Sequence, residues 1–221
     1  MRILLVCLAA ALAVPATAAA AFAPPVSVPA VGGETSRALA FADGRGVLVT
    51  QDGGEPNSLA TQHTITIPGG RRETFEDTAI LDSVARQDGG VDLLVRHGSN
   101  PLKRADITLR RVLPSGKVYD LWSVRTKADR GALARGKDRT FVAWPEGSVL
   151  KLVTRPDGGI PTHPHSARLG LRSVAALDLG VDAGGKLVAA VASPSTGLVV
   201  ASLRSTGTVL QRQVRRTVSG L

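Results

Sequence analysis

Two series of tight turns recur along this chain with one period, and that recurrence limits the fold more than any other feature. One series runs through Gly44, Gly89, Asp138 and Gly185, in steps of 45, 49 and 47 residues. The other runs through Gly70, Gly116, Gly158 and Gly207, in steps of 46, 42 and 49. Short apolar runs rich in Val, Leu and Ala lie between the turns, bounded by Gly, Pro, Asp and Ser, which is the pattern of strands joined by hairpins. The last unit is the cleanest. Its runs 174–179, 186–192, 198–203 and 208–214 are separated by Asp182-Ala183-Gly184-Gly185, by Ser193-Pro194-Ser195-Thr196-Gly197 and by Ser205-Thr206-Gly207. Four strands within about fifty residues make one meandering sheet, and repetition at that length marks a stacked array.

The same division applies upstream. It predicts strands at 38–42, 46–51, 58–67 and 73–75 in the first unit, and at 79–86, 91–97, 105–113 and 117–124 in the second. The third unit has them at 131–135, 140–144, 148–155 and 162–169. No sustained 3.6-residue apolar period interrupts this pattern, so the class is all-β. Residues 186–192 (KLVAAVA) and 198–201 (LVVA) are apolar on both faces, which predicts strands covered by a sheet on either side. Residues 105–112 and 117–124 alternate, as strands nearer a rim do. The expected fold is a β-propeller-like array of about four four-stranded blades over residues 37–216, with a two-sheet β-sandwich as the alternative. Closure is left open: a compact four-bladed ring, an arc paired with a second copy, and a shortened relative of a longer propeller all satisfy the pattern.

The termini read differently. Arg2, the apolar run 3–14 and the small residues that follow form a secretory signal peptide over residues 1–21. Cys7 lies inside that apolar run, and Met1 is the only methionine, so the mature chain has neither residue and folds without disulfides. No second apolar run of membrane-spanning length follows, so the expected localisation is secreted or cell envelope, with no transmembrane span in the mature chain. Residues 22–36 carry Pro24, Pro25 and Pro29 and read as a flexible lead-in, and residues 217–221 as a C-terminal tail.

The units resemble those of bacterial secreted β-propeller repeat proteins. The shared pattern is apolar strand, Asp/Asn-Gly turn, two apolar strands, Pro-x-Gly-Gly turn and closing strand, and it covers residues 37–216. The turn Arg155-Pro156-Asp157-Gly158-Gly159 is similar to the Ser-Pro-Asp-Gly turn of TolB-type propellers, without the serine. The Trp-Asp ending of WD40 blades, the double glycine and paired aromatics of kelch, and the Asp-box of sialidases are absent. The resemblance therefore implies a fold and no activity.

Residues that could carry chemistry are few. There is no Gly-x-Ser-x-Gly elbow and no cysteine nucleophile in the mature chain, and the glycines sit in hairpin turns, not in a phosphate cradle. Asp43, Asp52, Asp88, Asp157 and Asp182 fall in turns, where an aspartate caps the backbone. His163 and His165, two apart, are the candidate metal half-site, but the sequence offers no third ligand, and neither a metal nor a cofactor is expected. Trp122 and Trp144 read as packing residues between blades.

Charge is the remaining global feature. Lys and Arg number 27 against 18 acidic residues, a net charge of +9 to which Arg2 contributes one. The candidate ligand-binding residues are the local pairs Lys103-Arg104, Arg71-Arg72 and Arg110-Arg111, with Lys103 and Arg104 foremost because they fall in a loop. The expected function is an exported, non-catalytic binding or scaffolding module of the cell envelope or extracellular space. Its partner would be an anionic envelope polymer or another protein. Nucleic acid is not expected, because aromatic residues for base stacking are scarce. The alternative is a secreted hydrolase or lyase with its site in the propeller channel.

Overall fold

The computed structural model describes residues 35–40, 46–51, 62–66, 72–76, 78–86, 90–98, 100 and 102–215, with side chains at 64, 65, 73–76 and onward. The described residues form sixteen strands in four antiparallel sheets. Sheet one comprises β1 (Thr35–Ala40), β2 (Gly46–Gln51), β3 (Gln62–Thr66) and β4 (Arg72–Glu76). Sheet two comprises β5 (Thr78–Ala85), β6 (Val91–His97), β7 (Ala105–Val112) and β8 (Val118–Thr126). Sheet three has β9 (Ala132–Arg135), β10 (Arg139–Glu146), β11 (Val149–Pro156) and β12 (His165–Ala167). Sheet four has β13 (Ala176–Val181), β14 (Leu187–Ser193), β15 (Gly197–Leu203) and β16 (Val209–Arg215).

Each sheet is a meander in chain order, so the architecture is the β-propeller-like array of four four-stranded blades, and the β-sandwich alternative is set aside. The boundary of the lead-in differs from expectation, because β1 already begins at Thr35. Strand β12 is only three residues long, since Pro161 and Pro164 withhold the backbone donors that a longer strand would need. The expected signal peptide, residues 1–21, and tail, residues 217–221, lie outside the described residues.

Consecutive sheets stack through their first strands: β1 and β3 pack on β5, β5 on β9, and β9 on β13. Three apolar clusters fill the junctions. Strand β6 shows the logic. Val91, Leu93 and Val95 face sheet one beside Ile65, while Leu94 faces sheet three beside Leu133, Val142 and Val153. Every residue from Val91 to Arg96 is buried, including Asp92 and Arg96 near the two ends of the strand. Each fully buried Leu or Val contributes about 1.5–3 kcal/mol relative to exposure. At the junction of sheets two and three the rings of Trp122 and Trp144 lie 5.4 Å apart and tilted by 44°, as expected of residues packing between blades. Gly131 lets the chain enter this junction, since a Cβ there would sit 2.5 Å from Leu94 Cδ2 and 3.1 Å from the Ala143 carbonyl oxygen.

The run 186–192 departs from expectation. In β14 burial alternates: Leu187, Ala189 and Val191 are covered by sheet three, whereas Val188, Ala190 and Ala192 are only half-buried. Both faces of β6 are covered because a sheet lies on each side. Among the described residues, β14 has a sheet on one side only.

Candidate functional site

At one end of the array the loop joining β6 to β7 is held from within by Arg96. Its guanidinium is wholly buried. Nε donates to the carbonyl of Ala128 at 3.1 Å, Nη2 to those of Asn100 and Lys103 at 2.7 and 2.8 Å, and Nη1 to that of Gly98. Asn100 Oδ1 accepts the Leu102 N–H at 2.9 Å, and Gly98 takes the left-handed conformation (φ 87°) that starts the loop. A fork of donors spanning one short loop fixes its shape.

The fixed loop presents Lys103 and Arg104 to solvent. Arg125, on β8, and Lys127, just beyond it, are exposed nearby. Two adjoining clefts open here, of about 370 and 320 Å³, and Arg104 borders both. Among the described residues, none of these four cations has an ion-pair partner. The acids beside them are engaged elsewhere. Asp129 is held by Arg130 at 3.0 and 3.1 Å, which keeps its carboxyl below the usual range, and Glu146 lies 3.7 Å from Lys151. Asp106 is the exception and lines the larger cleft. The arrangement is suited to holding an anion by charge, and His97 lines the larger cleft together with Asp106.

The other sequence candidates fare differently. Arg110 and Arg111, two of the candidate ligand-binding residues, are each engaged within the protein. They are consecutive on β7, so their side chains leave on opposite faces of sheet two. Arg110 is 6% exposed, donates to Asp120 at 2.7 and 3.0 Å, and lies 4.2 Å over the Phe75 ring. Its pairing holds Asp120 below the ordinary carboxylate range. Arg111 makes a two-pronged pair with Asp92 at 2.8 and 3.1 Å. Both cations are occupied in junctions between sheets. Arg71 lies outside the described residues, and Arg72 opens β4. His163 is exposed, and His165 is half-buried on β12 opposite Leu152. No group of three His, Cys, Asp or Glu side chains among the described residues could hold a metal ion.

One cluster escaped sequence reading. At the opposite end of the junction between sheets two and three, Asp92 is fully buried and accepts from Arg111, from the Thr140 hydroxyl at 2.7 Å and from Arg86 at 3.4 Å. Asp157 joins from sheet three, accepting from Arg86 at 3.0 Å and from both terminal nitrogens of Arg135. These bonds hold the Asp157 carboxyl well below the usual range, those from Arg135 first. Arg155 lies in the same cluster, its pKa lowered by burial and then by Arg111. Register builds the cluster: Arg135, Thr140 and Arg155 form one cross-strand row of sheet three, and Asp92 and Arg111 one row of sheet two. Asp157 had been read as a turn cap, but its carboxylate reaches across the junction instead. Asp182 does cap its turn, accepting from Gly184 and Lys186 at 2.9 and 2.8 Å. No local signal separates the two aspartates, because each stands in a Gly-containing turn.

No family model and no curated protein sequence matches this chain. Solved structures do. A Bacteroides caccae protein of unknown function superposes with a TM-score of 0.51 at 10% identity, over 88% of this chain and 66% of its own. A GH43 glycoside hydrolase, engineered to display endo-xylanase and exo-arabinofuranosidase activity, gives 0.49 at 9% identity, over 79% and 40%. A gluconolactonase from Xanthomonas campestris gives 0.48 at 18%, over 81% and 61%. The chain thus spans 40–66% of the length of these structures. At such identities the likeness concerns the fold alone.

Proposed function

We propose that this chain is an exported binding module that engages an anionic polymer of the cell envelope through the loop of Lys103 and Arg104, without turnover. One observation carries the reading: four exposed cations, Lys103, Arg104, Arg125 and Lys127, surround a loop clamped by Arg96 and have no ion-pair partner among the described residues. A preordered loop loses little freedom on binding, and unpaired cations need break no internal pair to meet an anion. Recognition of this kind tolerates variation in the polymer, because it reads charge density and not sequence.

The test uses purified chain and heparin as the anionic polysaccharide probe. Affinity should fall steeply as salt rises from roughly 50 to 200 mM, over which the screening length shrinks below about 10 Å. Lys103→Glu/Arg104→Glu should weaken binding at least tenfold while the melting temperature stays near that of the parent, since exposed charges contribute about 0–1 kcal/mol to stability. Binding that ignores salt or survives the double substitution would remove the proposal. Turnover of glycoside or lactone substrates by the purified chain would replace it with the second reading, a hydrolase or lyase working in the propeller channel.

A further inference from the structure

The polar cluster between sheets two and three carries more positive than negative charge. Arg86, Arg111, Arg135 and Arg155 supply four guanidinium groups, and among the described residues only Asp92 and Asp157 meet them with carboxylates. The nearby Asp138 is paired with Arg139 at 2.8 and 2.9 Å, so that pair leaves the balance unchanged. Two positive charges are left over, in a junction whose Asp92 and Thr140 are inaccessible to solvent.

The excess is concentrated at one corner. Arg86, Arg111 and Arg135 each donate to a carboxylate oxygen, and Arg155 donates to none. Its one hydrogen bond among the described residues is long, 3.5 Å from Nη1 to the carbonyl of Pro156. Its Nε is buried without an acceptor, as is that of Arg135. Burial lowers the pKa of Arg155, and the charge of Arg111 lowers it further. Register explains the crowding. Arg155 stands opposite Thr140, whose hydroxyl donates to Asp92, and Asp92 stands opposite Arg111. Arg111 gives Nε and Nη2 to Asp92, and its Nη1 makes no hydrogen bond among the described residues.

A cation withdrawn from water without a counter-charge is costly, and an anion that pairs with it relieves the cost. Two uncompensated charges match a dianion, and guanidinium forks fit the paired oxygens of a phosphate group. The corner is reached from solvent, since Arg155 is half-buried and the Asp157 side chain is 35% exposed. We infer that the corner between Arg111 and Arg155 binds a phosphate group, to which the terminal nitrogens of Arg155 and Nη1 of Arg111 donate. This site lies at the opposite end of the junction from Lys103 and Arg104, and it stands independently of the reading of that loop.

Isothermal titration of the purified chain with inorganic phosphate, together with thermal unfolding, tests this. One bound phosphate per chain is expected. At about a hundredfold excess over its dissociation constant, phosphate should raise the melting temperature by about 5–10 °C, and sodium chloride at equal ionic strength should not. Arg155→Met keeps an apolar stem and removes a cation that pairs with no carboxylate. It should abolish the phosphate response without lowering the melting temperature in phosphate-free buffer. Arg155→Lys keeps the charge but loses the fork, and should raise the dissociation constant at least tenfold, which carries the test if the methionine variant does not fold. Lys103→Glu/Arg104→Glu should bind phosphate as the parent does. Glycerol 3-phosphate binding as tightly as inorganic phosphate would mark the ligand as a phosphate group on a larger molecule, and weaker binding would mark it as the free ion. Asp88 stands in the turn joining β5 to β6, outside the described residues; if its carboxylate neutralises Arg155, the parent will not bind phosphate and the inference falls. A response matched by chloride, or one that survives both substitutions of Arg155, would overturn it as well.

Discussion

Replacing Asp92 by Asn keeps the shape of the side chain and removes its charge from the junction between sheets two and three. The carboxylate is inaccessible to solvent and receives two bonds from Arg111, one from Thr140 and one from Arg86. An amide can accept at one oxygen only, and its NH2 would face guanidinium donors. Water cannot reach the site to compensate, so Arg111 and Arg86 are left with cationic charge in a poorly solvated junction. Losing one partner of a buried pair costs about 3–5 kcal/mol. For a domain of this size each kcal/mol lowers the melting temperature by about 2–4 °C, so a fall of about 6–20 °C is expected. Thermal unfolding followed by circular dichroism measures it. Asp120→Asn is the control, because Asp120 also makes a two-pronged arginine pair but its side chain is 51% exposed. Water reaches Asp120 and can take over part of the lost contact, so its shift should be the smaller of the two although Arg110 is itself buried. If Asp92→Asn shifts the melting temperature no more than Asp120→Asn, the cluster does not hold these two sheets together.

Two further outcomes follow from burial and charge. Leu187→Asp should unfold or aggregate the chain, since Leu187 is 2% exposed against sheet three, whereas Val188→Asp, on the uncovered face, should leave a folded protein; solubility and circular dichroism distinguish them, and equal damage at both positions would mean that the outer face is covered within the chain. Acid should weaken the fold through Asp157. Its folded pKa is depressed below 3.8 by Arg135, then by Arg86, so its contribution is complete above about pH 5 and is lost as pH falls through the depressed value. The urea midpoint should drop on acidification below about pH 4, and Asp157→Asn should flatten that dependence; an unchanged slope would show that Asp157 is not the group responsible.

Local chemistry decided the array itself. Hairpin turns require Gly, Asp and Pro at fixed places, and their recurrence along the chain was enough to count four sheets and to place most strands. The same local rules made Lys103 and Arg104 loop residues, and the structure adds the Arg96 clamp that fixes their loop. What failed were inferences about the surroundings of a strand. Arg110-Arg111 looked like one cationic pair, yet adjacent strand residues point to opposite faces, and only the stacked sheets supply Asp120 to one and Asp92 to the other. Residues 186–192 looked covered on both sides because a run apolar on both faces records which residues tolerate burial, not whether a neighbour is present. Asp157 and Asp182 occupy similar turns, and a buried junction beside the first gives it a different role. Turn and strand signals are short-range and survive in the sequence. Pairing across sheets joins residues as far apart as Arg86 and Asp157, and only the tertiary structure brings them within hydrogen-bonding distance.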